Sequence, residues 1–473
     1  MTDWLDPDRP HAIAHRGASA YARGNTLRAF ALASDLGAAF WEVDIRTAGD
    51  GVMVAHHDAA TATGLVIAET PADDLATACD VPTLDAVIAL AMARGAGLYA
   101  DIKAADPVAV AKAFQDAGLE KAILGAFDPA AVNALRAAGV TYPTAALVPL
   151  GADPFLHAAA ADIIHLCWER MDRPQAMLTP EFLSRAAAQG QRIVLWHEED
   201  PDRMAELRDL PILGICSDMP ELVHPFRAPK VWPVKTVAHR GANSVAPENT
   251  LPAAACAFAA GFDWVELDVR TSADGALVVI HDADVDRTTE GTALVVDLPL
   301  ARLRDLDAGS WFDPHFAGAQ LPRLTEMLDC ARRWNRGIYI EIKHADPMAV
   351  LREVQQAAMI ERCFFWGWDY DGLRAIKAAD PRARIMTRRM DFDRLEDCFA
   401  DLSADIIEYD STDDWSDMDA ARAYGAELMI CYMGRDPEIF DRVIATRPDI
   451  VNIDDLFTFR RRMEAAGLDT NGR

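Results

Sequence analysis

Two histidines, three carboxylates and two basic side chains stand near the ends of apolar runs in the second half of the chain. His239 and Arg240 close "TVAHR", Glu266 and Asp268 lie in "VELDV", His281 in "VVIHD", and Glu341 and Lys343 in "IEIK". Residues at i and i+2 of a strand face the same side, so Glu266 aims with Asp268, and Glu341 with Lys343. Three converging carboxylates repel one another unless a cation neutralises them. An all-oxygen set favours a hard divalent ion, Ca²⁺ or Mg²⁺, over zinc. Imidazoles beside such an ion suit proton transfer near neutral pH, one taking a proton and one giving it. With Arg240 and Lys343 to hold non-bridging oxygens, the set fits displacement at a phosphate. That chemistry is phosphodiester cleavage, with the diester left open.

The same residue types occur earlier. Sliding the chain by 224 residues lays His15-Arg16-Gly17 on His239-Arg240-Gly241, Glu42 and Asp44 on Glu266 and Asp268, and His57 on His281. The spacing from the first histidine to the glutamate is 27 residues in both copies, and from the aspartate to the second histidine 13. A lone histidine at a strand end is usually structural; repetition at shared spacing argues for function. Asp101 and Lys103 complete the first set. Self-similarity at so long a period indicates two tandem domains rather than a solenoid. The expected spans are 1–228 and 229–473, joined through the proline-rich "HPFRAPKVWP" at 224–233.

Within each copy, continuous apolar runs alternate with helix-like stretches that often end in glycine. Strands covered on both faces by helices have this look. About eight such units in about 215 residues predict a TIM (β/α)8 barrel in each copy, an α/β fold, with a doubly wound open sheet as the alternative. The barrel is favoured because each polar residue falls at the end of a strand pattern, on the face where barrel active sites form.

Composition narrows the partners. The 473 residues carry 46 Lys and Arg against 74 Asp and Glu, a net charge of −28. That balance disfavours nucleic acid and anionic membranes, and leaves a small anionic substrate possible only beside a local cation. Eight scattered cysteines without a CxxC pair, no signal-peptide pattern and no apolar run of membrane length predict a reduced, cytoplasmic location. Oligomeric state is not legible.

The ordered motifs resemble the glycerophosphodiester phosphodiesterase family. Copy two has "HRG" at 239–241, "PENT" at 247–250, "VELDV" at 265–269, "IHD" at 280–282, "RTT" at 287–289 and "EIK" at 341–343. Its segment "LDAGSWFDPHFAGAQLPRLTEML" is similar to the family's insertion, here about 283–322. The resemblance implies a TIM barrel, a divalent metal on Glu266, Asp268 and Glu341, and His239 and His281 as the catalytic pair. It further implies cleavage of a glycerophosphodiester to glycerol 3-phosphate and an alcohol. Arg287 reads either as a phosphate contact or as a loop anchor. Trp311 and Phe312 either touch a headgroup or close the insertion's own core.

Copy one departs. By the same resemblance, metal would sit on Glu42, Asp44 and Asp101, with His15 and His57 as the pair and Arg16 and Lys103 as phosphate contacts. Gly24 replaces the "PENT" glutamate, Asp101 is one methylene shorter than Glu341, and the stretch from His57 to Asp101 spans 44 residues against 60 from His281 to Glu341. Either copy one is a second active barrel with another substrate, or it is a degenerate barrel kept for packing or regulation; the changes lean toward the second. His56 aligns with Ile280 and is expected outside the barrel. In copy two, Tyr432 stands where an aromatic residue lining the glycerol pocket is expected. Two other functions stay open for the whole chain: a lyase ending at a cyclic phosphate, as in sphingomyelinase D enzymes, and a non-catalytic scaffold.

Overall fold

A computed structural model describes residues 4–168, 171, 173–400 and 402–470, so the outermost residues of the two expected spans lie outside it. The chain divides after His224 into two compact units. Residues 225–233, expected as a joint, belong to the second: Phe226 and Trp232 are buried, and the Trp232 indole donates to the Pro448 carbonyl at 2.8 Å.

The first unit contains β1 (His11–Ala14), β2 (Phe40–Thr47), β3 (Met53–Ala55), β4 (Gly97–Ala104), β5 (Ala122–Ala126), β6 (Thr144–Val148), β7 (Ile163–Cys167), β8 (Arg192–Trp196) and β9 (Gly214–Ser217). All but β3 pair in parallel, and β1 pairs with both β2 and β9, which closes an eight-stranded barrel. The second unit repeats this with β10 (Lys235–Ala238), β11 (Trp264–Thr271), β12 (Leu277–Val279), β13 (Gly337–His344), β14 (Cys363–Gly367), β15 (Arg384–Arg388), β16 (Ile406–Asp410), β17 (Glu427–Tyr432) and β18 (Ile450–Ile453), closed by β10 against β11 and β18. Both are TIM barrels with helices outside. The interiors are packed, by residues such as Phe40, Tyr99 and Val194 in the first and Phe364, Met386 and Met429 in the second. Several helices start at an Asp-Pro pair whose aspartate accepts from the first turn, as Asp106 does from Val108.

One strand differs from expectation. "VMVAHHD" and "ALVVIHD" do form strands, but β3 and β12 are not barrel staves. They pair antiparallel with β2 and β11 through Ile45↔Ala55 and Val269↔Val279. The reason is that β2 and β11 overrun the rim, losing register with β4 and β13 after Ile45 and Val269. The chain turns at Gly51 and Gly275, both at positive φ, and returns toward the mouth. His57 and His281 thus arrive on a hairpin descending to the site.

The insertion of the second barrel folds on its own core of Val278, Ile280, Val285, Val295, Leu303, Ala308 and Leu321. Phe316 is buried, Phe312 stacks edge-on against it, and Trp311 donates to the Ala308 carbonyl at 2.9 Å. The shorter counterpart in the first barrel keeps a core around Val54, Ile67, Leu75 and Val81.

A buried carboxyl in the first barrel makes a stability prediction. Glu221 is enclosed and accepts from the Tyr21 hydroxyl. Burial pushes its pKa from 4.5 up to about 7 against the opposing hydrogen bond. The folded chain therefore keeps this proton over a range where the unfolded chain loses it. The contribution is complete below 4.5 and is lost as pH climbs to about 7. Its size is on the order of 3 kcal/mol. Thermal melts at pH 5 and pH 8 should show a shallower pH slope of Tm in Glu221→Gln than in the wild type; equal slopes would contradict this.

Candidate active site

In the second barrel, the His-Arg-Gly turn follows β10. Arg240 sits at φ 55° and Gly241 at φ 82°, where a Cβ would come within 2.8 Å of Ala253 on the next helix. Only glycine permits that approach. The same constraint holds at Gly17, within 2.5 Å of Ala29. The left-handed turn directs the Arg240 backbone N–H onto Glu266 Oε2 at 2.9 Å, as Arg16 does onto Glu42 Oε2 at 2.9 Å.

Parallel register places Asp268 beside Glu341 and Asp44 beside Asp101. Glu266, Asp268 and Glu341 offer oxygens all within 4.8 Å of one another, and so do Glu42, Asp44 and Asp101. All six are buried. Burial, followed by repulsion from Asp268 and Glu341, pushes Glu266 well above the usual carboxylate range; burial with Asp44 and Asp101 does the same to Glu42. Burial raises Asp101 to about 6 in spite of Lys103.

These residues fit a hard cation. Glu266 Oε1, Asp268 Oδ1, Glu42 Oε1 and Asp44 Oδ1 are buried lone pairs that accept no hydrogen bond. Lys343 Nζ reaches Glu341 and lies 3.4 Å from Asp268 Oδ1, and Lys103 Nζ lies 2.6 Å from Asp101 and 3.3 Å from Asp44. Each trio also faces a guanidinium, Arg240 Nε 3.5 Å from Asp268 and Arg16 Nε 3.1 Å from Asp44, yet two positive charges do not neutralise three carboxylates, which leaves room for a divalent ion.

Both imidazoles of each barrel are oriented through Nδ1. His239 Nδ1 meets Asp454 Oδ1 at 2.7 Å, and His281 Nδ1 meets Asp282 Oδ1 at 2.7 Å. His15 pairs with Asp218 at 2.7 Å and His57 with Asp58 at 2.8 Å. Asn243 and Ser19 brace the first of these carboxylates, each at 2.6 Å. The hairpin histidines are held through their carbonyls, which accept from Arg270 at 2.8 Å and from Arg46 at 2.8 Å. Burial lowers the pKa of His281 and of His57, against the pull of Asp268 and Asp44.

Several of these supports escaped the sequence reading: Asp218 and Asp454, Asp58 and Asp282, Arg46 and Arg270, and Asn25 and Asn249. The two asparagines, at φ 58° and 56°, donate to Asp44 and Asp268 at 2.7 and 2.8 Å. The asparagines, Asp58 and Asp282, and the arginines recur in "NTL", "HD" and "IRT" or "VRT", and that recurrence was the available signal; Asp218 and Asp454 each follow the last strand of their copy, in "CSD" and "NID".

Arg287 does not point to the carboxylate cluster. Its guanidinium forks onto Glu248, both bonds 2.8 Å, and its Nε donates to Asp282 Oδ2 at 2.6 Å. Its guanidinium is thus engaged as the loop anchor, the second of its two readings, and not as a phosphate contact. Glu248 also accepts from Arg240 at 2.9 Å, so one carboxylate links the His-Arg-Gly turn to the His281 loop. With Gly24 in place of that glutamate, Arg16 lies nearer its aspartate, Nε to Asp44 Oδ2 3.1 Å, than Arg240 does to Asp268 Oδ2, 3.5 Å. A cavity of about 290 Å³ opens there, lined by Arg16, Gly24, His57 and Thr63. His56 lines it too, half-buried, rather than packing outside the barrel.

The late aromatic residue also differs from expectation. Register equates Trp196 with Cys431, since Cys167↔Trp196 matches Asp410↔Cys431. Tyr432 faces the outer helix, packing edge-on against Phe440, its hydroxyl accepting from the Asp436 N–H at 2.7 Å. In the first barrel Trp196 and His197 flank His15, with the two imidazoles stacked 4.9 Å apart.

The family model described as "Glycerophosphoryl diester phosphodiesterase family" matches residues 15–222 and again 239–452. A glycerophosphodiester phosphodiesterase of Caldanaerobacter subterraneus is 36% identical over 155 residues, 32% of this chain and 64% of the relative. One from Bacillus subtilis is 39% identical over 128 residues, 25% of this chain and 43% of the relative. These alignments span less than two-thirds of each relative's length. The crystal structure of a glycerophosphodiester phosphodiesterase from Agrobacterium tumefaciens is 37% identical, with TM-score 0.45, covering 48% of this chain and 99% of that one.

Proposed function

The chain belongs to the glycerophosphoryl diester phosphodiesterase family, carrying its domain twice, and from this we propose that it hydrolyses glycerophosphodiesters to glycerol 3-phosphate and an alcohol. The observation that carries the reading is the buried carboxylate trio with unpaired lone pairs, flanked by two imidazoles each held through Nδ1. Glu266, Asp268 and Glu341 would hold Ca²⁺ or Mg²⁺, which when bound neutralises charge on the non-bridging oxygens. Arg240 and Lys343 add positive charge beside it. Donation from Nδ1 to Asp454 and Asp282 leaves each Nε2 to exchange a proton, one with the attacking oxygen and one with the departing alcohol.

We assign the main turnover to the C-terminal barrel, where Glu248 and Arg287 brace both the Arg240 turn and the His281 loop. The N-terminal barrel keeps its carboxylate trio and both oriented histidines, which supports metal binding and a weaker or different activity over a purely structural role. We further place the protein in a reducing, cytoplasmic setting, acting on small diesters and not on nucleic acid or membranes. Cys79, Cys216, Cys330, Cys363, Cys398 and Cys431 are free thiols, and no helix among the described residues is long and apolar enough to cross a membrane.

The test is phosphorus NMR of glycerophosphocholine and glycerophosphoglycerol incubated with the full chain and Mg²⁺ or Ca²⁺. Glycerol 3-phosphate should accumulate as a monoester. A cyclic phosphate as the end product would instead favour the lyase, and no turnover with either ion would leave the scaffold.

A further inference from the structure

The two mouths are lined differently beyond the shared residues. Asp101↔Gly125 in the first barrel corresponds to Glu341↔Trp366 in the second. Following the register across, Leu147 corresponds to Arg388 and His165 to Glu408, because Leu147↔His165 matches Arg388↔Glu408. The large aromatic stands on a different strand in each barrel: Trp196 on β8, where the second barrel has Cys431, and Trp366 on β14, where the first has Gly125. Volume explains part of the exchange. A Cβ on Gly125 would come within 2.9 Å of Leu147 and 3.0 Å of Tyr99, so that position has no space for a ring.

Charge sets the second barrel apart. Arg388 lies over Trp366 at 5.2 Å and Trp368 at 5.7 Å. Its Nη2 meets Met390 Sδ at 2.7 Å, and its Nε is 3.8 Å from Glu408 Oε1, beyond hydrogen-bond length. The guanidinium is therefore held by stacking and keeps much of its field. Below it, Glu408 Oε2 and Asn452 Oδ1 are buried acceptors without a donor. Burial raises Glu408 to about 7, with Arg388 and a side-chain hydrogen bond from Asn452 pulling the other way. In the first barrel the cation over the mouth aromatics Phe127 and Trp196 is the site lysine Lys103 itself.

We propose that Trp366, Trp368, Arg388, Glu408 and Asn452 form the subsite for the second alcohol in the C-terminal barrel, selecting a neutral, hydroxyl-rich alcohol and rejecting a quaternary ammonium. An ammonium headgroup would seek the tryptophan faces, but Arg388 already covers them and repels it. A polyol offers hydroxyl donors to the two unpaired acceptors and takes a hydrogen bond from the guanidinium. An anionic alcohol would gain from Arg388 but leave those acceptors unmatched. This rests on the phosphodiesterase reading above.

The experiment uses the full chain carrying His57→Ala, so that the C-terminal barrel alone is read. Values of kcat/KM are compared for glycerophosphoglycerol, glycerophosphocholine and glycerophosphoserine. Glycerophosphoglycerol should lead. Arg388→Leu, the first barrel's residue, should lower the preference for glycerophosphoglycerol over glycerophosphocholine about tenfold, mainly through KM, as loss of a charge-assisted contact does. Arg388→Lys should retain the ranking. A lead for the choline or serine diester, or a ratio unmoved by Arg388→Leu, overturns the subsite. Failure of the His57→Ala chain on all three diesters would instead count against the phosphodiesterase reading in this barrel.

Discussion

Replacing His281 with alanine is expected to cut kcat by about 10²–10⁴-fold, the usual worth of a positioned acid or base. The loss should be in kcat and not in metal affinity. His281 approaches the carboxylate trio from the hairpin side and is tied to Asp282 and Arg270, so its removal leaves Glu266, Asp268 and Glu341 in place. Calorimetric titration with Ca²⁺ or Mg²⁺ should therefore read the same stoichiometry as the wild type. Any residual turnover in His281→Ala should disappear in the His57→Ala, His281→Ala double variant, which would trace it to the N-terminal barrel. Unchanged turnover in the double variant would remove the hairpin histidines from the chemistry altogether.

Glu266→Gln should separate stability from activity. The three buried carboxylates repel one another in the absence of a cation, and Glu266 is the most affected, through burial and then Asp268 and Glu341. Glutamine keeps an oxygen for the Arg240 N–H, which now bonds Glu266 Oε2 at 2.9 Å. The metal-free variant should accordingly melt no lower than the metal-free wild type. Saturating ion stabilises a native state by RT ln(1 + [L]/Kd), about 2.7 kcal/mol at a hundredfold excess over Kd. Glu266→Gln should lose that rise for the C-terminal barrel, bind one ion fewer per chain, and lose the activity assigned there. A wild-type-like rise of Tm with ion would show that the cluster is not the metal site. Glu42→Gln is the matching control in the N-terminal barrel.

Much of this was legible before any coordinates. Repetition at a single offset revealed two domains, and strand-end positions of Glu266, Asp268, Glu341 and their counterparts indicated a shared face. What failed did so for local reasons. Tyr432 lies one residue beyond the position equivalent to Trp196, and a shift of one residue turns a side chain to the opposite face. Arg287 looked equally fit for phosphate or anchor, since its partners Glu248 and Asp282 lie 39 and 5 residues away.

Chain order and spacing alone carried the residue types, their pairing by twos on strands, and the duplication, because side-chain alternation along a strand is a local property. Closure of the barrels decided everything that depends on neighbours remote in sequence. Asp454 reaches His239 across 215 residues and Asp218 reaches His15 across 203. Closure also put Trp366 and Arg388 on adjacent strands of one mouth and Gly125 and Leu147 on those of the other. The hairpin that lowers His281 back toward Asp268 has the same origin: a strand that outruns its neighbour loses its ladder and must fold back to pair its backbone.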